Sequence, residues 1–292
     1  MSELLNSLIE LIRRTSAEIP DDVHKAILAS LENEQKDSLA QNALKIVDQN
    51  IALAKNKSQP ICQDTGSILF YVDCPVGYDQ ITFADTAREA VTLATKKGFL
   101  RQNSVDSLTG KNDGTNVGPG APSFHFHQHR APEVSVRLVL KGGGCENVGA
   151  QYSLPAEKLK ANRDLDGCRK AILDAVLQAQ GKGCGPGILG VCIGGDRATG
   201  YELSKTQFLR RLEDRNPNPE LDALEQDVLK TANELGIGPM GFGGKTTLLG
   251  VKICAANRLP ASYFVSVSYM CWAYRRQGVT LGVKGEIQKW LY

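Results

Sequence analysis

The chain is organised around the stretch QPICQDTGSILFYV, residues 59–72. Its first half carries a thiol, an amide, a carboxylate and a hydroxyl on consecutive residues: Cys62, Gln63, Asp64 and Thr65. A proline precedes this group and a glycine follows it, so we expect a loop. The second half is a short apolar run, which predicts a buried strand. Polar groups on a loop at a strand end often form an active site, so the stretch predicts both a strand and a candidate site.

Length and composition are typical of a large globular protein with many loops. Of the 292 residues, 42% are hydrophobic, 23% are charged and 29 are glycines, which favours a mixed α+β fold over a helical bundle. We expect one domain over residues 1–292, with a helical N-terminal section (1–57) packed on a mixed sheet. The net charge of +2 gives no electrostatic reason to expect nucleic acid, and no apolar run is long enough to span a membrane. The N-terminus follows helical spacing and not a signal-peptide pattern, so we expect a cytoplasmic protein.

Two local patterns predict elements downstream of this strand. Residues 82–97 predict a helix with Thr82 as its N-cap. The next strand carries histidines at every second position, and residues 134–140 are predicted to be its antiparallel partner; the histidines are His125, His127 and His129. This spacing places three imidazoles on one face, which is typical of a metal site but equally of an ordinary half-exposed strand.

Eight cysteines are many for a chain without a signal sequence. Most of them should be buried apolar thiols, as is usual for cysteine. Three instead lie beside glycine, proline or charged residues at the edges of predicted strands: Cys62, Cys184 and Cys271. Metal binding or catalysis is the usual role of such thiols in a chain of this length, but their separation is not that of a local metal motif. The residues alone therefore leave a metal site and buried core thiols both open.

Two loops supply candidate groups for binding an anion. Residues 98–123 form a long loop rich in glycine and asparagine, and its Arg101 suits a bidentate grip on a carboxylate, although a lone arginine is more often a solvated surface residue. The second loop, residues 141–144, contains three glycines whose backbone amides can approach an anion closely. It lacks the ending of a phosphate-binding P-loop.

Several motifs occur in the order found in one enzyme family. They are CQDTG at 62–66, LRQN at 100–103, KGGG at 141–144, GCGP at 183–186 with IGG at 193–195, GIGP at 236–239 and CWA at 271–273. With these motifs the chain resembles the alpha subunit of the iron–sulfur hydro-lyases, which are the class I fumarate hydratases and the L(+)-tartrate dehydratases. Because the motifs extend over nearly the whole chain, the resemblance implies an alpha-type hydro-lyase domain.

The resemblance also implies a cofactor, a set of site residues and a reaction. It implies a 4Fe–4S cluster with one iron open as a Lewis acid, held by Cys62, Cys184 and Cys271. It implies that Asp64 assists proton transfer, and that a small dicarboxylate substrate is contacted by Gln63, Asp64, Arg101, Gly143 and Gly144. The implied reaction is the reversible hydration of fumarate to L-malate, or the dehydration of tartrate to oxaloacetate in the tartrate-specific relatives.

Two departures from the complete family pattern matter for function. Further catalytic groups of the family lie on a beta subunit or a C-terminal domain, so the resemblance implies a beta partner and a hetero-oligomer. A substrate-contacting histidine usually stands twelve residues before the last cluster cysteine, and that position is Leu259 here. The choice between fumarate, tartrate and another dicarboxylate therefore stays open. A non-catalytic iron–sulfur or redox-sensing protein and a structural subunit with buried thiols are the alternative interpretations.

Overall fold

Helices occupy most of the N-terminal section, as the sequence predicts. The computed structural model describes residues 2–292. Within these residues the α-helices are α1 (Glu3–Ala17), α2 (Asp21–Asn33), α3 (Leu39–Lys57), α4 (Gln80–Lys96), α5 (Gly143–Glu146), α6 (Leu165–Ala179), α7 (Arg197–Thr206) and α8 (Pro219–Glu234). None of these helices is long and apolar enough to cross a membrane.

The strands form two separate sheets. In chain order they are β1 (Ser67–Pro75), β2 (Ser123–His129), β3 (Val134–Lys141), β4 (Ala150–Ser153), β5 (Gly187–Gly194), β6 (Leu248–Ala256), β7 (Phe264–Met270), β8 (Arg275–Leu281) and β9 (Ile287–Trp290). The first sheet has the order β2-β1-β3-β8-β9 and the second the order β4-β7-β5-β6. Each sheet contains one parallel pair, β1–β2 or β5–β6, among antiparallel neighbours. The predicted α+β class with mixed sheets is therefore confirmed.

The chain divides into two compact units that are interleaved in sequence. Unit one contains the first sheet and the segments Met1–Asp21, Gln49–Gly143 and Ala273–Tyr292. Unit two contains the second sheet and the segments Asp22–Asp48 and Gly144–Trp272. The chain passes from one unit to the other four times, so no single cut of the chain separates them. We therefore retain one domain over residues 1–292 as a proposal.

In unit one, β1 lies between β2 and β3, so the predicted pairing of residues 134–140 with the histidine strand is wrong. β3 pairs with β1 in antiparallel orientation, from Ser67 opposite Lys141 to Asp73 opposite Ser135. β1 is a nearly continuous apolar run, which suits a strand with a neighbour on each side. β2 carries polar side chains at alternate positions and takes the edge of the sheet.

The core of unit one supports the strand that follows the CQDTG loop. α1 and α4 pack together, and their buried side chains join those of the sheet in one hydrophobic cluster. At its centre Phe70 of β1 stacks on Phe124 of β2 with ring centroids 5.4 Å apart. The predicted N-cap of α4 is wrong, because Asp79 caps the helix and its carboxylate accepts from the Thr82 N–H at 2.9 Å and from the Thr82 hydroxyl at 2.7 Å.

In unit two, helices cover the second sheet. α7 packs on β5 and β7, α8 packs on β6, and α6 contacts β7. Asp196 is the N-cap of α7, and its carboxylate accepts from the backbone N–H groups of Ala198 and Thr199. β5 and β7 are antiparallel, with Ile188 opposite Met270. The start of β5 and the end of β7 therefore lie at the same edge of the sheet.

Candidate active site

The CQDTG loop of unit one ends against the turn that follows β3. Ser67 pairs with Lys141 in the β1–β3 ladder, so the loop and the turn leave the sheet at the same edge. Gly66 has a φ angle of +81°, and a Cβ at this position would lie 2.4 Å from the carbonyl carbon of Lys141. Only glycine permits this backbone approach, so Gly66 sets the distance between the two segments.

The Asp64 carboxylate lies beside the same turn. Its Oδ2 is 3.1 Å from the position that a Cβ would occupy on Gly142 and 3.7 Å from that on Gly143. Arg275, at the start of β8, donates a hydrogen bond from its guanidinium to the backbone carbonyl of Asp64. The absence of side chains on the turn therefore leaves room for the carboxylate, and Arg275 fixes the backbone that carries it.

Arg275 also brings buried positive charge to this region. It is 1% exposed, and its Nε is buried without a hydrogen-bond partner among the described residues. Its register neighbour on β3 is Leu140, one residue before the buried Lys141. Buried cations normally require an anionic partner, and the Asp64 carboxylate lies beside this guanidinium, because a Cβ on Gly142 would lie 3.1 Å from Asp64 Oδ2 and 3.4 Å from Arg275 Nη2. Sequence reasoning did not select Arg275, whose only signal was its place in the arginine pair that follows the CWA motif.

A hydrogen-bond network connects the CQDTG loop with the segment that carries Arg101. The side-chain oxygen of Asn103 accepts from the Thr65 N–H at 3.0 Å and from the Thr65 hydroxyl at 2.6 Å. Asn116 accepts from the backbone N–H of Asn103 at 2.9 Å and donates to the Arg101 carbonyl at 2.7 Å. Thr65 and Asn116 are buried, whereas Arg101 is exposed. The network therefore fixes the Arg101 backbone relative to the loop that carries Asp64 and leaves the guanidinium accessible.

Sequence reasoning did not select the asparagines of this network. Asn103 belongs to the LRQN motif, and that motif was the available signal for it. Asn116 lies in the middle of the loop and has a φ angle of +59°, a left-handed conformation that asparagine tolerates better than most residues. Nothing in the spacing of the sequence distinguishes it from Asn112 of the same loop.

In unit two, Cys184 and Cys271 lie at one edge of the second sheet. Cys184 precedes β5 and Cys271 follows β7, and the backbone N–H of Trp272 donates to the Cys184 carbonyl at 3.3 Å. Cys184 is exposed, and its φ angle of +54° is unusual for a residue with a side chain. The antiparallel pairing of β5 with β7 therefore brings together two of the three predicted cluster ligands.

The ring of Tyr269 packs directly on the turn that carries Cys184. A Cβ on Gly183 would lie 2.4 Å from Cε1 of this ring, and a Cβ on Gly187 would lie 2.2 Å from its Cζ. The glycines on both sides of Cys184 are thus explained by the volume of the ring. Tyr269 lies on β7 two residues before Cys271, so one strand positions both the ring and the second thiol.

A third thiol of unit two lies in the same neighbourhood. Burial raises the pKa of the Tyr269 hydroxyl, and the nearby sulfurs of Cys271, Cys145 and Cys184 raise it further. Cys145 is buried on the short helix α5. The sequence prediction left Cys145 out of the ligand set, and its place near Tyr269 is a feature that sequence spacing did not reveal.

The predicted ligand set divides between the units. Cys62 belongs to unit one and is partly exposed, whereas Cys184 and Cys271 belong to unit two. Over the described residues, neither unit contains three or more His, Cys, Asp or Glu residues placed to hold a metal ion. The predicted substrate residues divide in the same way: Gln63, Asp64, Arg101 and Gly143 belong to unit one, and Gly144 begins a segment of unit two.

The histidines of β2 have the contacts of a half-exposed strand. Phe124 and Phe126, which alternate with them, pack against the hydrophobic core of unit one. His125 stacks on the ring of Tyr71 with centroids 4.7 Å apart. These contacts favour the structural interpretation of the alternating pattern over a metal site.

Comparison with known proteins identifies the family. The family model described as fumarate hydratase (Fumerase) matches residues 6–280. The chain therefore belongs to the Fumerase family, which is a family of hydro-lyases. The resemblance to class I fumarate hydratases and L(+)-tartrate dehydratase alpha subunits, predicted from the ordered motifs, is confirmed.

Relatives in three organisms carry two kinds of name. A protein of Geobacillus stearothermophilus named as a fumarate hydratase class I is 52% identical over 296 residues, which cover 100% of this chain and 58% of the relative. The chain thus spans little more than half the length of that relative. A protein of Methanocaldococcus jannaschii named as an L(+)-tartrate dehydratase subunit alpha is 32% identical over 274 residues, covering 92% of this chain and 94% of the relative. The L(+)-tartrate dehydratase subunit alpha of Escherichia coli K12 is 30% identical over 281 residues, which cover 94% of this chain and 90% of the relative.

Proposed function

We propose that this chain is the alpha subunit of an iron–sulfur hydro-lyase that reversibly hydrates fumarate to L-malate. The observation that carries the proposal is the Asp64 carboxylate seated beside the side-chain-free glycine turn, with the buried guanidinium of Arg275 against its backbone. A carboxylate that can move a proton, next to buried positive charge, suits a reaction on a dicarboxylate. Membership of a hydro-lyase family supports the same reaction class.

The proposed cofactor is a 4Fe–4S cluster held by Cys62, Cys184 and Cys271. Part of the donor set supports such a group, because the pairing of β5 with β7 brings Cys184 and Cys271 to one edge of the second sheet, while Cys62 lies in the CQDTG loop before β1. Cys184 is exposed and Cys62 is partly exposed, so both thiols are open to an incoming cluster, whereas Cys271 is buried. When bound through three thiolates, a cluster supplies a Lewis-acidic iron with an open position.

The residues of this chain then have distinct roles toward the substrate. Arg101 holds one carboxylate of the dicarboxylate through its exposed guanidinium. The backbone N–H groups of Gly143 and Gly144 bind the same anion, because no side chain blocks the approach to them. Gln63 contacts the substrate through its amide, and Asp64 assists the transfer of the proton at the carbon adjacent to the one that bears the departing hydroxyl.

The proposed partner is a beta subunit that supplies the remaining catalytic groups. The chain spans 58% of the Geobacillus relative but 94% and 90% of two relatives that are named as alpha subunits. A length close to that of named alpha subunits supports a hetero-oligomer in which this chain provides part of the active site. We place this assembly in the cytoplasm, where the thiols that would bind the cluster stay reduced.

The decisive experiment is anaerobic co-production of this chain with a beta subunit, followed by assays against fumarate, L-malate and L(+)-tartrate. We expect fumarate and malate to interconvert, with the absorbance of a 4Fe–4S cluster. Cys184→Ala and Cys271→Ala variants should lose that absorbance, whereas Cys168→Ala should keep it because Cys168 is buried beside Tyr263. Cluster absorbance without turnover of any of the three acids would favour the redox-sensing alternative. Absence of a cluster in the wild-type protein would favour the interpretation of the chain as a structural subunit with buried thiols.

L(+)-tartrate is the second candidate substrate. Two relatives named as tartrate dehydratase alpha subunits match this chain over nearly their whole length. Leu259, which is 74% exposed, stands where family members usually carry a substrate-contacting histidine, and this departure leaves the choice between the two substrates open. Turnover of tartrate but not of fumarate in the same assay would establish this alternative.

A further inference from the structure

Two cysteines outside the proposed cluster site face each other across neighbouring strands of unit two. β5 and β6 are parallel, and Cys192 is the register partner of Cys254. In-register residues on parallel strands project to the same face, and neighbouring strands lie about 4.7–4.9 Å apart. A disulfide needs Cα atoms roughly 4.4–6.8 Å apart, so the ordinary spacing of neighbouring strands lies within the range for a bond between this pair.

The two thiols have unequal environments. Cys192 is fully buried, whereas Cys254 is partly exposed. A hydrogen bond with Cys254, together with burial, raises the pKa of the Cys192 thiol. The hydrogen bond from Cys192 lowers the pKa of Cys254; the guanidinium of Arg210 lowers it further, against the opposing effects of burial and of Glu225. Cys254 is therefore the more acidic and more accessible member, and Cys192 is the proton donor beside it.

Oxidation by a peroxide requires this difference in acidity and exposure between the two thiols. The thiolate is the form that reacts with oxidants, and reactive cysteines are partly exposed and lie near positive charge. Cys254 meets these conditions. Cys168 of α6 does not, because it is fully buried and burial raises its pKa to about 11.

We propose that Cys192 and Cys254 form a reversible disulfide when the protein meets a peroxide. In the first step the Cys254 thiolate attacks one oxygen of the peroxide and, with uptake of one proton, yields a sulfenic acid and one water. In the second step the Cys192 sulfur displaces the sulfenic hydroxyl, and the proton of its thiol leaves with that hydroxyl as a second water. Two thiols are thereby oxidised by two electrons and one hydrogen peroxide is reduced, and a dithiol reductant reverses the change.

Cys192 has a protective role in this scheme. A sulfenic acid that meets no second thiol is oxidised further to a sulfinic acid, which ordinary reductants do not reverse. Because Cys192 is already hydrogen-bonded to Cys254, it captures the sulfenic acid within the protein. The inference does not depend on the proposed hydro-lyase activity, since neither cysteine belongs to the proposed ligand set.

The test uses the full chain, reduced under anaerobic conditions and then treated with hydrogen peroxide, alkylated in denaturant and digested with trypsin. Cys254 lies in the tryptic peptide 253–258, and Cys192 shares the peptide 183–197 with Cys184. We expect a cross-linked pair of these peptides, lighter by two hydrogens than their sum, in which fragmentation assigns the bond to Cys192. Treatment with dithiothreitol should restore both alkylated peptides.

Variants make the test selective. The Cys192→Ser variant should lose the cross-link and accumulate sulfinic acid on Cys254, whereas Cys168→Ser should form the cross-link like the wild-type protein. A bond from Cys254 to Cys184, or full alkylation of Cys254 after peroxide treatment of the wild-type chain, would overturn the proposal. The presence or absence of the Cys192–Cys254 cross-link in the wild-type protein tests the proposal even if a serine variant folds poorly.

Discussion

The Asp64 region of unit one and the Cys184 region of unit two position their chemical groups by different means. The Asp64 region, residues 62–66 with the turn at 141–143, is held by the hydrogen bonds that Thr65 donates to Asn103 and by the bond that Arg275 donates to the Asp64 carbonyl. The Cys184 region, residues 183–187, is held by the ring of Tyr269, which fills the space left by the glycines on either side. The comparison teaches that a site can be fixed either by directional polar contacts or by shape. Substitutions in the Asp64 region and in the Cys184 region should therefore have different effects on the protein.

The largest expected effect is that of removing the charge of Asp64. An Asp64→Asn substitution keeps the shape of the side chain and its place beside the turn, but it removes the group that we propose to move a proton. We expect kcat of the assembled enzyme to fall by about 100-fold to 10,000-fold, the range for loss of a general acid–base group. Steady-state assays on the alpha–beta complex would measure it.

The matched control for this variant is Asp79→Asn. Asparagine is as good an N-cap as aspartate, so the start of α4 and the activity should be preserved. Wild-type kcat in Asp64→Asn would show that the Asp64 region does not perform proton transfer.

The second expected effect tests the shape-based region. Tyr269→Ala would leave the glycines of the Cys184 turn facing an empty volume, and large-to-small changes of buried aromatic residues cost roughly 3–5 kcal/mol. Tyr269→Phe retains the ring, so it should cost far less. Urea unfolding of both variants gives the free energies. A Tyr269→Phe variant as unstable as Tyr269→Ala would indicate that the hydroxyl, and not the ring, holds this region.

A smaller effect is expected from the hydrogen-bond network at Arg101. Asn116→Gly preserves the left-handed backbone conformation but removes the bonds of the Asn116 side chain to the Arg101 carbonyl, to the Asn103 and Ser104 N–H groups and to the Thr95 hydroxyl, each worth about 1 kcal/mol. We expect KM for the dicarboxylate to rise by several-fold, because Arg101 is held less firmly and binds the carboxylate less well. We expect kcat to change little, because Asp64 stays in place.

A double-mutant cycle shows whether this network acts through Arg101. In an Arg101→Ala background, the Asn116→Gly change should raise KM no further. Asp106→Asn, in the exposed part of the same loop, is the matched control and should leave KM unchanged, because Asp106 Oδ1 accepts from Leu108 and Thr109 and not from the Arg101 segment. Additive effects of the Arg101 and Asn116 substitutions would mean that Asn116 has only a general structural role.

The smallest effect concerns Leu259, in the loop between β6 and β7. Because Leu259 is exposed, Leu259→His should alter the unfolding free energy by no more than about 0.5 kcal/mol. If the position faces substrate, an imidazolium would attract the dicarboxylate, so KM should fall as the pH drops below about 6.5. Leu259→Gln provides an uncharged control. An equal pH profile in both variants would remove this position from the substrate site.

The sequence predicted local features better than it predicted which strands pair and which residues hydrogen-bond to each other. The CQDTG loop, the strand after it and the glycine turn were all recognisable because their residues have strong backbone preferences. The N-cap of α4 was misplaced because Asp79 and Thr82 are both good capping residues, and only the folded chain shows which accepts the bond. The pairing of β2 with β3 was wrong because adjacency in sequence does not reveal that β1 lies between them.

Long-range contacts explain the site residues that the sequence did not reveal. Arg275 acts on Asp64 across 211 positions of chain, and Asn116 acts on Arg101 from within a loop whose residues look alike. Neither contact leaves a periodic or compositional signal. Gly66 was predicted to lie in a loop, but the close approach of the Lys141 backbone to it and of the Tyr269 ring to Gly183 is seen only in the folded chain.

The interleaving of the two units has a consequence for how the protein is made. The central strand β3 acquires its neighbour β8 only from the segment 273–292, which is synthesised after all of unit two. Arg275 arrives with that segment. During synthesis from the N-terminus, the loop that carries Asp64 is therefore among the first parts to leave the ribosome and among the last to acquire its final hydrogen bond. Nascent chains that stall before residue 275 would carry Asp64 without the guanidinium that fixes it.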